Sequence, residues 1–215
     1  MNDHPPTTTP TTSDPAEQPP TAPAPARRSV LADRYHRSMD VLNVDRHRLC
    51  LQLYLVIVIA HWAEHIVQAV QIYVFDWPIE EARGVLGIPF PWLVTSEWMH
   101  YGYALIMLIG LLLLLPGFTG RSRTWWTISL LIQVWHHFEH LILLVQATNG
   151  VNLGGGDAPS SLIQLLIPRV ELHLFYNTIV FVPMVVAMYL HARPNAVERE
   201  TTQCACAGEP SRSDR

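Results

Sequence analysis

The chain has 215 residues, 49% of them hydrophobic, and a formal net charge of −4 that is spread thinly along it. This weak charge gives no reason to expect a nucleic-acid partner. All 14 basic residues are arginine, and three cysteines are too few for a disulfide framework. The hydrophobic residues are gathered into four blocks, which predicts an integral membrane protein rather than one or two soluble domains.

The chain begins with a polar segment, residues 1–28, that is rich in Pro, Thr and Ala. This composition cannot bury enough apolar surface to fold, and it lacks the apolar run of a signal peptide, so a disordered tail is predicted. Residues 29–47 then place Leu31, Tyr35 and Met39 at helical spacing among arginines. This juxtamembrane segment is predicted to be an amphipathic helix on the membrane surface or a plain linker.

Four apolar segments follow, each close to the roughly 20 residues that a bilayer core requires. The expected spans are about 49–75, 93–115, 124–147 and 170–190, inside a transmembrane domain at 48–192. The predicted fold is therefore all-α, an integral membrane four-helix bundle.

The arginines predict how the bundle is oriented. Twelve of the 14 lie on the side that contains the N-terminus, the 117–123 loop and the C-terminus. The positive-inside rule therefore predicts a multi-pass protein of the plasma membrane with both termini in the cytoplasm.

The sequence His-x-x-Glu-His occurs twice, at 61–65 and at 136–140, each time inside an apolar segment. Helical neighbours lie at i+3 and i+4, so the three polar residues of each motif share one helix face. The two copies are 75 positions apart, and the same offset aligns Val70-Gln71 with Val145-Gln146. This pattern predicts two tandem helical hairpins related by a pseudo-twofold axis along the membrane normal. Two convergent helices with similar apolar residues are the alternative.

Further glutamates and histidines stand near the starts of the second and fourth apolar segments, where they are expected at the same outer depth of the bilayer. Such groups are costly in a membrane and usually mark function. No arginine is expected to face the glutamates within the spans, so bound cations are predicted to neutralise them. The predicted metal ligands are His61, Glu64, His65, Glu97, His100, His136, Glu139, His140, Glu171 and His173. Tyr103, Tyr176 and His137 are predicted to surround these ligands, although packing alone also explains the tyrosines.

Carboxylate and imidazole without thiolate suit a pair of divalent ions, namely iron, manganese or zinc. The expected function is that of a membrane metalloprotein. As an enzyme, it would be a metal-dependent oxidoreductase that acts on a lipophilic substrate together with a redox partner. A haem-binding, cytochrome-like bundle and a metal-ion or proton transporter are the alternatives. A metalloprotease and purely structural hydrogen bonding explain the duplicated motif less well.

The chain ends with a second polar segment, residues 193–215, that is also predicted to be disordered. Its two cysteines, Cys204 and Cys206, are expected to be reduced thiols in an unstructured end. A soft-metal site or a thioester-linked lipid is the alternative.

Overall fold

The computed structural model describes residues 30–202 together with Cys204 and Cys206, so the tail predicted at 1–28 lies outside the described residues. The described part is all-helical and contains no strand. The helices are α1 (Val30–Asp40), α2 (His47–Tyr73), α3 (Trp92–Thr95), α4 (Glu97–Leu114), α5 (Gly120–Asn149), α6 (Arg169–Ala192) and α7 (Ala196–Thr201). Shorter turns lie at Val41–Asp45, a π-helix, and at Leu115–Gly117, Leu153–Gly155 and Ile163–Leu165, which are 3-10 helices.

The prediction of four long apolar helices is confirmed. Helices α2, α5 and α6, and α4 with the turn that follows it, are each long and apolar enough to cross a membrane. The second of them starts later than the sequence predicts, because Ser96 is extended (φ −91°, ψ 118°) and separates the short helix α3 from α4. This break puts Glu97 in the first turn of α4.

The four long helices form an antiparallel bundle. Helix α5 packs against α4 and α6, and α2 packs against the same two helices. The hydroxyl of Tyr54 donates to the Met107 carbonyl over 2.8 Å, and that of Tyr103 donates to the Ile57 carbonyl over 3.2 Å. Because 54 pairs with 107 and 57 with 103, α2 and α4 run in opposite directions.

The two ends of the bundle differ in what they contain. We call the end formed by residues 41–47, 115–120 and 191–202 the tail end, and the end formed by the loops 74–96 and 150–168 the loop end. An apolar core fills the bundle toward the tail end, where Leu111, Trp126 and Met184 are fully buried. The indole of Trp126 donates to the Leu111 carbonyl over 2.8 Å, so this polar group is also satisfied.

The outer surface of the bundle is apolar. Leu53, Val56 and Leu131, on α2 and α5, are 57%, 64% and 64% exposed. Contiguous exposed apolar surface is unfavourable in water and suits contact with lipid or another protein. The lengths of the helices and this surface are together consistent with a multi-pass membrane protein.

The tail predicted to be disordered from 193 onward contains the helix α7. Asn195 and Glu198 form a reciprocal capping box, in which Asn195 accepts from the Glu198 amide over 2.8 Å and Glu198 accepts from the Asn195 amide over 3.0 Å. Glu198 also pairs with the Arg121 guanidinium over 3.0 Å and accepts from the Arg121 amide. A Cβ at Gly120, where φ is +54°, would lie 2.6 Å from this carboxylate. These contacts, which composition does not reveal, attach the helix to the start of α5.

The docking of α7 is expected to weaken in acid. The bonds from Arg121 and from the Asn195 amide lower the pKa of Glu198 from 4.5 to about 2. A folded-state pKa below the unfolded value gives stability that is complete above pH 4.5 and lost as the pH falls toward 2. Hydrogen exchange of residues 195–202, corrected for the intrinsic pH dependence, should show this loss of protection. Glu198→Gln should be less protected at neutral pH and insensitive over the same range, and equal acid sensitivity in the variant would contradict the assignment.

Candidate metal centre

Six histidine side chains from the four long helices meet in the half of the bundle nearer the loop end. They are His61 and His65 of α2, His100 of α4, His136 and His140 of α5, and His173 of α6. His173 lies in the middle, with its ring centroid 5.2 Å from that of His65 and 5.4 Å from that of His140. The centroids of His100 and His136 are each 5.9 Å from it. All the predicted histidine ligands therefore lie together, in what we call the six-histidine cluster.

Two pairs of histidines within the cluster face each other through their Nε2 atoms. The Nε2 atoms of His61 and His65 are 3.1 Å apart, and those of His136 and His140 are 3.2 Å apart. A neutral imidazole carries a hydrogen on only one nitrogen. Two facing Nε2 atoms therefore either share one proton or direct their lone pairs toward one cation.

Hydrogen bonds to Nδ1 determine the tautomer of two other histidines. His100 Nδ1 is 3.0 Å from the Ser96 carbonyl, and His173 Nδ1 is 2.8 Å from the Arg169 carbonyl. A carbonyl only accepts, so each Nδ1 carries the hydrogen and each Nε2 keeps a lone pair. Histidines that bind metals commonly make such a bond from the second nitrogen.

Buried nitrogen atoms of the cluster lack hydrogen-bond partners within the described part of the chain. They are Nε2 of His173 and Nδ1 of His136 and His140. Unsatisfied buried polar atoms are rare, because each costs about 1–3 kcal/mol of desolvation free energy. For His173 the unsatisfied atom is the one with the lone pair, so a bound cation would satisfy it.

Two of the predicted glutamate ligands are bound by the loops of the loop end. The Glu64 carboxylate accepts from the amides of Val85, over 2.7 Å, and Leu86, over 3.2 Å. The Glu139 carboxylate accepts from the Ile163 amide over 3.3 Å. These bonds satisfy loop amides, and the role of both glutamates as metal ligands stays a prediction.

The other two glutamates have partners on neighbouring helices. Arg169 binds Glu97 with two guanidinium nitrogens, over 2.7 and 2.9 Å, and Tyr73 donates to Glu171. The expectation that no arginine faces a glutamate is therefore wrong for Glu97. The reason is that α6 begins at Arg169, beside the first turn of α4, so that its side chain reaches Glu97.

The predicted surrounding residues contact the cluster in different ways. Tyr103 stacks on His61 with centroids 3.6 Å apart, and Tyr176 stacks on His136 at 4.3 Å. Tyr103 gives its hydroxyl hydrogen to a backbone carbonyl, so its contact with the cluster is through its ring face. His137 is half-buried and lies beside the ring of Tyr101, at 5.0 Å.

Two glutamines near the ends of their helices, Gln71 in α2 and Gln146 in α5, hold the following loops, and the site prediction did not include them. Gln71 accepts from the Gly84 amide over 2.8 Å and donates to the Gly84 carbonyl over 3.2 Å. Gln146 bonds the amide and carbonyl of Ser160 in the same way, over 3.3 and 2.8 Å. Their shared offset of 75 in the sequence is the signal that could have identified them.

Several cavities adjoin the histidines, and two of them bear on the chemistry of the cluster. A cavity of about 20 Å³ lies between the four helices and is lined by five of the six rings. It has room for a water molecule or an ion. A larger cleft of about 370 Å³ lies beside His61 and His65, between α2, α4 and the 74–96 loop. Its other walls include Ile57, Leu86 and Leu93, so an apolar molecule fits its chemistry.

The chain matches no known protein-family model, and comparisons with curated proteins and with solved structures find no match either. Function must therefore be argued from the chemistry of the site.

Proposed function

We propose that this chain is a membrane metalloprotein whose six-histidine cluster binds two divalent metal ions. The observation that carries the proposal is the arrangement around His173, whose buried Nε2 lone pair lies between two facing histidine pairs. Each pair supplies two nitrogens to one ion. Among the described residues no three ligand atoms of the cluster lie within 4.8 Å of one another, so His100 and His173 would complete the coordination by turning their rings toward the pairs. A two-metal centre of this kind needs ligands from several elements, and four helices supply them.

The donor set favours particular metals. Imidazole suits zinc, iron and copper, whereas carboxylate and water suit manganese. Since Glu64, Glu97, Glu139 and Glu171 all have partners within the protein, manganese is the least favoured of the metals that the sequence suggested. Iron would supply redox chemistry, and the oxidoreductase part of the proposal holds for a redox-active metal only.

Matching contacts support an origin of the bundle from two tandem hairpins. In each half a histidine pair lies four residues apart, a tyrosine stacks on the first histidine, and a glutamine holds the following loop. His100 and His173 also bond equivalent carbonyls, four residues before each of them. The bundle would cross the plasma membrane with the tail end in the cytoplasm, as the arginines suggest.

The cleft beside α2 and α4 supports a lipophilic substrate. It brings an apolar molecule within reach of His61 and Tyr103, and the surface around it is itself apolar. A molecule dissolved in the bilayer could enter this cleft from the side.

Two alternatives have less support. Haem needs a flat cavity far larger than the 20 Å³ between the rings, and the 370 Å³ cleft borders histidines of α2 and α4 only, not those of α5 and α6. A transporter needs polar groups along the whole path, and the tail half of the bundle is closed by Leu111, Trp126 and Met184. The site is therefore better suited to holding ions than to passing them.

The proposal is tested by measuring metal in protein purified in detergent through a tag without histidine. Two ions per chain, roughly, are expected for this centre, without the absorption band of haem. The double variant His65→Ala/His140→Ala should lose them, because each ion loses one of its first two ligands. His137→Ala is the matched control, from the same helix but outside the cluster. A metal-free wild-type protein, or full metal content in the double variant, would refute the proposal.

A further inference from the structure

A second group of metal-binding side chains lies at the tail end, far from the six-histidine cluster. It consists of His47 at the start of α2, His191 near the end of α6, and Cys204. All three are buried, with exposed fractions of 0%, 3% and 6%. One ligand atom of each residue lies within 4.8 Å of the others, and the described residues contain one such set of three, which is this one.

The two imidazoles have nitrogens that nothing in the described chain satisfies. His47 Nδ1 is 3.2 Å from the Leu42 carbonyl, so it carries the hydrogen and Nε2 keeps a lone pair. Nε2 of His47 and Nε2 of His191 are both buried without a hydrogen-bond partner among the residues described. The rings meet edge to face, with centroids 5.1 Å apart. His47 Nε2 thus has a free lone pair, His191 Nε2 has no partner, and a ring nitrogen of each lies within 4.8 Å of one sulfur, an arrangement that suits a metal ion.

The surroundings hold these rings in place. Phe118 packs against both, with centroids 5.2 Å from His47 and 4.9 Å from His191. A Cβ at Gly117 would lie 2.5–2.8 Å from three atoms of the His47 ring, so only glycine leaves room for the imidazole there. Both unsatisfied Nε2 atoms are buried in these surroundings.

Cys206 places a second sulfur beside that of Cys204. The structure pairs Cys204 with Cys206 in a disulfide, whereas the sequence predicted two reduced thiols in an unstructured end. The Cys206 amide also donates to Cys204 Sγ over 3.1 Å, a bond that stabilises a thiolate. A thiol reductant, which supplies two electrons and two protons and is itself oxidised to a disulfide, would convert the pair to two neighbouring thiols. Metal binding would then release the thiol protons and leave two thiolates beside the two imidazoles.

We propose that, in the reduced chain, His47, His191, Cys204 and Cys206 bind one zinc ion. Two nitrogens and two sulfurs in a tetrahedron are a donor set that zinc prefers, and four protein ligands make a closed, structural site. The ion would attach the C-terminal segment to the start of α2 and to the end of α6. This inference does not depend on the metal of the six-histidine cluster, because the two sites differ in donor chemistry.

Cobalt(II) substitution tests the site, because a thiolate bound to cobalt gives a charge-transfer band in the near ultraviolet that imidazole alone does not. The full-length protein, reduced and loaded with cobalt in detergent, should show this band, and added zinc should remove it. Cys204→Ser/Cys206→Ser and His47→Ala should each lower the band several-fold. Cys50→Ser, which changes the free cysteine one turn along α2, should leave it unchanged.

A second measurement covers the possibility that a variant folds poorly. Zinc added to the reduced wild-type chain should slow proteolysis within 195–206, and it should have no such effect on the double cysteine variant. Absence of the band in the wild-type protein, or its persistence in the double cysteine variant, would overturn the proposal. The metal content of the six-histidine cluster is measured in the double cysteine variant, which lacks the tail-end site. A metal-free double cysteine variant, together with the cobalt band in the wild-type protein, would refute the proposed function and leave this site standing.

Discussion

Replacement of His173 by alanine is expected to lower the metal affinity of the six-histidine cluster by about 100-fold or more. Loss of residues that merely orient a ligand typically costs 10–100-fold, and His173 is proposed as a direct ligand of one ion through Nε2. Its ring lies within 6 Å of four others, and its Nε2 is the buried atom that a cation would satisfy. The affinity can be measured by competition with a chromophoric chelator, and the metal content by elemental analysis.

The control for this variant separates binding from folding. The metal-free His173→Ala protein should unfold at nearly the temperature of the metal-free wild-type protein, because removal of an unsatisfied imidazole offsets part of the lost packing. His137→Ala, which changes a half-buried histidine that contacts Tyr101 rather than the cluster, should keep wild-type affinity. If His173→Ala bound metal as tightly as the wild-type protein, the two histidine pairs would have to act without a central ligand.

The helices and the histidines of the site could be predicted from the sequence, because both depend on local periodicity. Apolar runs of sufficient length gave α2, α4, α5 and α6, and the i, i+4 spacing put His61 with His65 and His136 with His140. The predicted depth in the membrane then placed His100 and His173 at the level of these two histidine pairs. None of these predictions requires knowledge of how the loops fold.

The partners of the glutamates could not be predicted, because they depend on how the loops fold back. Glu64 is bound by amides 21 and 22 residues later in the chain, and no local pattern gives that contact. Arg169 lies just before the span predicted at 170–190, whereas α6 starts with it. The capping box of Asn195 and Glu198, in contrast, has a readable Asn-x-x-Glu spacing that indicates the start of a helix.

The tail-end site was missed for a different reason. His47 and His191 are 144 positions apart, each stands alone in its helix turn, and a lone histidine at a helix end has no distinctive pattern. Only the antiparallel packing of α2 and α6 brings the start of one beside the end of the other. The Cys-x-Cys sequence was the local signal, and its partners became visible only with the fold.

Replacement of Arg169 by alanine is expected to destabilise the bundle by about 1–3 kcal/mol. Its guanidinium binds both carboxylate oxygens of Glu97, a two-pronged geometry that is among the stronger charge-assisted contacts. The Glu97 side chain is only 11% exposed, so the variant leaves a nearly buried carboxylate without its cation. Removal of one partner of a fully buried pair costs about 3–5 kcal/mol. The smaller figure applies here because the Arg169 side chain is 39% exposed and solvent screens part of the attraction.

The measurement is the free energy of unfolding of metal-free protein in mixed micelles, so that metal binding does not contribute. Arg169→Lys should be intermediate, because an ammonium keeps the charge and loses the two-pronged geometry. The double variant Glu97→Gln/Arg169→Met should be more stable than Arg169→Ala, because it removes both charges together. If Arg169→Ala and the double variant were equally stable, the Arg169–Glu97 contact would join α4 to α6 by packing alone. The cost of Arg169→Ala would then arise from lost contacts of its side chain rather than from an unpaired buried charge on Glu97.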